Sequence, residues 1–163
     1  MIWDMTISTF TRVHVVLSLI GIGSGFIVLF GLLRVKQLDG WTALFLATTA
    51  ATSVTGFGFP VEHLLPSHMV GLISLAVLAV AILARYARHL AGVWRRIYVI
   101  SAAAALYLNV FVGVTQAFQK VPALAAMAPR QNEPPFVVAQ LAVLALFVVL
   151  TVVAAKRFGT GRH

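Results

Sequence analysis

Five long apolar runs separated by short polar links make up most of this 163-residue chain. Each run supplies about the 20 residues that a helix needs to cross a hydrocarbon core about 30 Å thick. The predicted spans cover residues 11–33, 41–59, 68–90, 97–118 and 136–155. The pattern therefore predicts an all-α integral membrane protein, a small bundle of five transmembrane helices that forms one domain over residues 1–163.

Small residues repeat at helical spacing on the first two predicted spans. Such stripes let a neighbouring helix approach closely, because no bulky side chain keeps the two backbones apart. We expect the two stripes to pack against other helices, either within this chain or in a membrane-protein partner or a second copy of the chain. The stripes consist of Gly21 with Gly25 on the first span, and of Thr48, Thr52 and Gly56 on the second.

Composition supports the membrane interpretation and removes several classes of protein. The chain is 61% hydrophobic and 10% charged, with a mean hydropathy of +0.99, which lies outside the range of soluble globular domains. The absence of cysteine excludes disulfides, thiolate metal sites, iron–sulfur clusters and covalently attached haem. The net charge of +8 arises from residues in the links between apolar runs, so it indicates membrane topology rather than nucleic-acid binding.

The positive charges are distributed unequally between the two faces that five spans would create. Because cytoplasmic links carry an excess of Lys and Arg, the asymmetry predicts an outside N-terminus and a cytoplasmic C-terminus in a cell inner membrane. One face has nine basic residues: Arg34, Lys36, Arg85, Arg88, Arg95, Arg96, Lys156, Arg157 and Arg162. The other face has three, which are Arg12, Lys120 and Arg130.

The link between the second and third spans contains a cluster of chemically active side chains. Glu62, His63 and His68 lie within seven residues, and His14 is expected at a similar depth at the start of the first span. Neutral imidazoles and carboxylates are common ligands of transition metals. The first functional hypothesis is therefore a metal site formed by His14, His63, His68 and Glu62 on the outer face.

Two further hypotheses use a cofactor or another small ligand in the outer half of the bundle. His14 and His68 begin different spans and could bind the two faces of one haem b. Alternatively, polar side chains among apolar walls could bind a quinone or another small organic molecule. Both hypotheses draw on one set of candidate cofactor-binding residues, namely His14, His68, Asn109, Gln116 and Gln140.

A role without any ligand is the alternative. In this interpretation the chain is a structural or assembly subunit whose small-residue faces dock on a larger membrane complex. Hydrolytic or acid–base enzyme chemistry is not favoured, because the four acidic residues, Asp4, Asp39, Glu62 and Glu133, all lie outside the predicted spans. We therefore predict a membrane protein with an outward-facing His-rich polar cluster and no catalytic residues.

Overall fold

The computed structural model describes residues 4–64 and 66–160, and within them it contains helices and no strand. Arg162, which contributes to the predicted charge asymmetry, lies outside the described residues. The third long helix continues directly into a π-helical turn at Leu83–Ala87. The α-helices are α1 (Ile7–Leu33), α2 (Asp39–Gly56), α3 (Pro66–Ile82), α4 (Trp94–Lys120), the short α5 (Pro122–Met127) and α6 (Pro134–Arg157).

Four of the five predicted spans coincide with helices that are long and apolar enough to cross a membrane. These are Ile7–Leu33, Pro66–Ala87, Trp94–Lys120 and Pro134–Arg157. The fifth, α2, is a helix of 18 residues that does not reach the same hydropathy. The reason is its composition, since it begins at Asp39 and carries five threonines and a serine. The membrane-like helical bundle is confirmed, with four candidate spans rather than five.

Successive long helices run antiparallel. Along α1 and α2 the contacts proceed in opposite directions, from His14 against Thr55, through Gly21 against Thr49, to Gly31 against Leu38. These contacts cover 17 residues of α1, or about 25 Å at 1.5 Å per residue. The helix α6 packs against α4 and α1.

The basic residues of the helix ends are tied to neighbouring helices at one end of the bundle, called here the basic end. Arg85, buried in the π-helical turn, pairs with Asp39 at the start of α2. Arg95 Nε donates to the carbonyl oxygen of Phe158 at 2.9 Å, and Arg157 Nη1 donates to that of Leu33 at 2.9 Å. These contacts bring the beginnings of α2 and α4 and the ends of α1, α3 and α6 to the same end.

A dry apolar core fills the half of the bundle nearest the basic end. Val28, Leu29, Phe45, Leu106 and other side chains are buried there, and the small void that they surround has no room for a water molecule. Gly25 belongs to this contact: a Cβ at its position would lie 2.6 Å from Leu106 Cδ1 and 3.0 Å from the Phe45 ring. The absence of a side chain at Gly25 therefore allows α1, α2 and α4 to meet.

The glycines of α1 allow a matched test of this packing. We expect Gly25→Ala to lower the free energy of unfolding by about 1–3 kcal/mol, because an added methyl overpacks a closed core. Gly23→Ala is the control, since an added Cβ there meets nothing within 4 Å, and alanine is the better helix former by about 1 kcal/mol. Unfolding in mixed detergent should therefore show a lower free energy of unfolding for Gly25→Ala and a higher one for Gly23→Ala than for the unchanged protein. Equal stability of both variants would contradict the close packing at Gly25.

Candidate functional site

A cavity of about 640 Å³ occupies the half of the bundle farthest from the basic end. Four helices surround it, because α1 packs on α2, α2 on α3, α3 on α4 and α4 on α1. Its described lining includes twelve polar or basic side chains, three from each helix, and His14, Ser18, His68, Asn109 and Gln116 are among them. The size is within the range of about 300–1,000 Å³ that is usual for small-molecule sites.

The cavity is elongated along the bundle. Its lining extends from Thr11 to Ile22 on α1 and from Leu108 to Lys120 on α4, which corresponds to about 16 Å of helix at 1.5 Å per residue. Together with the volume, this length gives a mean cross-section of about 40 Å². The space therefore suits a molecule about one ring wide, lying along the helices.

The inner end of the cavity is polar and contains an unsatisfied donor. Asn109 is only 7% exposed; its Oδ1 accepts a hydrogen bond from Ser18 Oγ at 3.0 Å, whereas its Nδ2 has no partner. The hydroxyl of Thr49 nearby is also buried without a partner. Both polar atoms are enclosed against Gly21 of α1, and leaving a buried donor unpaired costs about 1–3 kcal/mol.

His14 lies on the cavity wall in a fixed tautomer. Its Nδ1 is 2.8 Å from Thr55 Oγ1, and that hydroxyl donates its one hydrogen to backbone carbonyls of α2, at 2.7 Å to Ala51 O. Thr55 must therefore accept from His14, so Nδ1 carries the proton of the neutral ring and Nε2 keeps a lone pair. Phe59, in edge-to-face contact at 5.2 Å between ring centroids, holds the ring from another side.

The lining of the outer end is basic and contains no carboxylate. His68, in the first turn of α3, is buried and packs against Phe57 at 5.5 Å between ring centroids. Lys120, the last residue of α4, is exposed and lines the cavity at the same end as Thr11 and Ser67. The cavity thus passes from a buried amide at its inner end to an ammonium group at its outer end.

Four of the five candidate cofactor-binding residues line this one cavity: His14, His68, Asn109 and Gln116. Gln140 does not. Its Nε2 donates to Phe111 O and to Thr115 Oγ1, each at 3.1 Å, and thereby ties α6 to α4. Depth along the helix is similar for Gln140 and Gln116, but Gln140 approaches α4 from the side opposite the cavity.

The predicted four-residue metal site does not assemble. His14 and His68 line the cavity, whereas Glu62 and His63 are exposed on the link before α3 and are absent from its lining. Across residues 4–64 and 66–160, no three side chains of His, Asp or Glu come close enough together to hold a metal ion. The geometry therefore gives no support to a metal site made only of protein ligands.

Sequence reasoning missed three residues that shape the cavity: Thr49, Thr55 and Lys120. Thr55 orients His14, and Thr49 lies at the inner end beside Asn109. The signal for the two threonines is the large number of hydroxyls on α2, which the small-residue pattern alone explains as helix packing. The signal for Lys120 is that it follows Gln116 by one helical turn on the same face.

The chain has no match among protein-family models, among curated proteins or among solved structures.

Proposed function

We propose that this protein binds a small, largely apolar redox molecule of the quinone class in the cavity between α1, α2, α3 and α4. The observation that supports this most directly is the buried Nδ2 of Asn109, a donor without a partner at the inner end of a cavity of ligand size. Rotation of the Asn109 carboxamide toward the cavity would bring this donor to a quinone carbonyl oxygen, which is an acceptor. Polar groups inside a membrane are costly and tend to be functional.

His14 supplies a hydrogen-bond acceptor, which complements the donor of Asn109. Its Nε2 lone pair can accept a hydrogen bond from the hydroxyl of the reduced molecule, the quinol, while Nδ1 stays anchored on Thr55. Ser18, which bonds Asn109, follows His14 by four residues of α1, so the two sites are separated by about 6 Å along the axis. This separation is comparable with that of the two oxygen atoms across one quinone ring.

The same proposal includes the membrane topology. We infer that α2 crosses the membrane with the other four long helices, because it lies beside α1 for about 25 Å, and its threonine hydroxyls donate to its own backbone, for example Thr48 to Leu44 O at 2.7 Å. The basic end would then face the cytoplasm. The cavity would open in the outer half of a cell inner membrane, on the periplasmic side in a bacterium.

Haem b is the second candidate. His14 and His68 line the same cavity from two different helices, which is the arrangement that two axial ligands of one haem require. A hydroxyl that orients the first imidazole is also typical of a metal-ligating histidine. A haem would leave the Asn109 donor unexplained, so we favour the quinone class.

A structural or assembly role without a ligand is the third candidate function. In this chain Gly21 and Gly25 are buried against α2 and α4, and Thr48 is buried as well. The two small-residue stripes that could have docked a partner are thus largely used inside the monomer. This use favours a ligand of the protein's own over a subunit that binds none.

The test measures binding of naphthoquinone, a neutral two-ring quinone, by calorimetric titration of the protein in lipid nanodiscs, with empty nanodiscs as the blank. We expect saturable binding of naphthoquinone, and binding of its reduced form, naphthoquinol, that is about tenfold weaker in His14→Ala, because the hydrogen bond from the quinol hydroxyl to His14 Nε2 is worth about 1.4 kcal/mol. His63→Ala is the matched control, since His63 is exposed and outside the lining. It should bind as the unchanged protein does.

An absorption spectrum of the protein purified from its own source separates the two redox candidates. A Soret band that disappears in His14→Ala and in His68→Ala would replace the quinone proposal with haem b. A protein without a Soret band that shows no saturable binding of naphthoquinone would contradict both candidates and leave the subunit role.

A further inference from the structure

We propose that the outer end of the cavity is an anion site, in which Lys120 binds a negatively charged group carried by the ligand. The ligand would then be an amphiphilic anion, with an apolar ring inside the cavity and an acidic group at the opening. The proposal builds on the proposed function, because it uses the same cavity, but it concerns the charge of the ligand, which that function leaves open.

The charge distribution in the lining carries the argument. Lys120 carries a fixed positive charge in the lining, the imidazoles of His14 and His68 line the same cavity, and none of the described lining residues is acidic. A fixed charge beside a cleft with apolar walls concentrates ions of the opposite sign. The surroundings of the cavity thus favour an anion over a neutral or cationic molecule of the same shape.

The acidic residues of the chain are occupied or lie elsewhere. Asp39 pairs with Arg85 at the basic end. Glu133 accepts hydrogen bonds from the backbone N–H groups of Arg130 and Asn132, and Asp4 and Glu62 are outside the lining. Within the residues that the structure describes, Arg85–Asp39 is the one ion pair between side chains, so no carboxylate neutralises Lys120.

The position of Lys120 suits an anion at a membrane interface. It is the last residue of α4 and is exposed, while Gln116, one turn below it, lines the same cavity and can add a neutral hydrogen bond. A long lysine stem lets the ammonium group reach the aqueous interface while its methylene groups remain along the apolar wall. The charged group of the ligand would thus stay hydrated as its ring enters the cavity.

A pair of ligands of nearly equal size tests the inference in nanodiscs of zwitterionic lipid. Naphthoquinone is neutral, and lawsone, its hydroxylated form, is an anion at neutral pH. We expect lawsone to bind about five- to tenfold more tightly than naphthoquinone, as is typical of one partly solvated ion pair with good geometry. Lys120→Met should remove this preference, so that the variant binds lawsone and naphthoquinone with equal affinity.

The control is Arg12→Met, which removes a positive charge at the same end of the bundle from a residue outside the cavity lining. It should retain the preference for lawsone. Equal affinity for the two ligands in the unchanged protein would overturn the anion site and leave the quinone proposal intact. Failure of both ligands to bind would overturn the proposed function and the anion site together.

A second titration identifies the source of the anion. If the group belongs to a soluble or membrane-dissolved acid, the preference for lawsone persists in nanodiscs that contain phosphatidylglycerol. If the group is the phosphate of a membrane lipid, phosphatidylglycerol competes with lawsone at Lys120. The preference for lawsone over naphthoquinone then disappears in the unchanged protein and in Arg12→Met, which both retain Lys120. Either result supports the anion site. A preference that is equally strong in Lys120→Met would contradict it.

Discussion

Replacing Asn109 with leucine is expected to weaken the binding of naphthoquinone about 30-fold while leaving the protein as stable as before, or more stable by about 1 kcal/mol. The bound carbonyl loses its buried donor, which is worth about 2 kcal/mol in a site that excludes water. In the empty protein, the same change removes an unpaired buried N–H. This gain offsets the loss of the bond from Ser18, since hydrogen bonds between membrane helices average about 0.6 kcal/mol.

Gln140→Leu is the matched control for Asn109→Leu. It is expected to lower stability and to leave binding unchanged, which is the opposite pattern. Gln140 is a buried carboxamide like Asn109 and its Oε1 also has no partner, but its Nε2 donates two hydrogen bonds to α4 and none of its side chain lines the cavity. We expect it to lower stability by about 1 kcal/mol and to leave binding unchanged. Calorimetric titration and detergent unfolding measure the two properties separately. Loss of binding in both variants to the same extent would show that Asn109 acts through the fold alone.

Asp39→Asn is expected to destabilise the protein by about 2 kcal/mol, more than Arg85→Met does, although the two substitutions break the same ion pair. The side chain of Arg85 is 7% exposed and that of Asp39 is 83% exposed. Removing the carboxylate leaves a buried cation without its counter-charge, which is costly. Removing the arginine leaves a carboxylate in water and puts an apolar side chain of similar length in its place, at a cost of about 1 kcal/mol or less.

Unfolding of the single variants and of the double variant completes the cycle. The double variant should resemble Arg85→Met, because Asp39 has little left to interact with once the guanidinium is gone. The Arg85 guanidinium also lies over the ring of Tyr98, 5.5 Å from its centroid, and this contact persists in Asp39→Asn. A larger loss in Arg85→Met than in Asp39→Asn would mean that packing on Tyr98, rather than the ion pair, anchors α3 at the basic end.

The helices were predictable because each long apolar run can fold in a membrane only as a helix that satisfies its own backbone. The boundaries agree within a few residues, for instance 136–155 predicted against Pro134–Arg157 observed. The membrane-crossing status of α2 was less predictable. Its length is adequate, but threonine and serine lower its hydropathy, and what shields them is the packing of α1, α3 and α4, which no single segment of sequence specifies.

The sequence predicted how deep in the membrane the candidate site residues lie, but not which of them point into the cavity. The positions of His14, His68, Asn109 and Gln116 along their helices placed them in one layer, and they line one cavity. Gln140 lies in the same layer and faces α4 from the other side. Helices that are apolar all round give no periodicity from which to read the face that points inward, so depth alone could not separate Gln116 from Gln140.

The dry core around Gly25, Phe45 and Leu106 has a consequence for the direction of proton movement. Among the described residues it closes the cavity toward the basic end, because its void has no room for a water molecule, so a water-filled route from His14 to that face would require the core to open. Protons taken up or released as a bound quinone is reduced or a quinol oxidised would then be exchanged with the aqueous phase on the Lys120 side alone. Coupled to an electron donor or acceptor on the opposite face, such one-sided exchange would make turnover electrogenic.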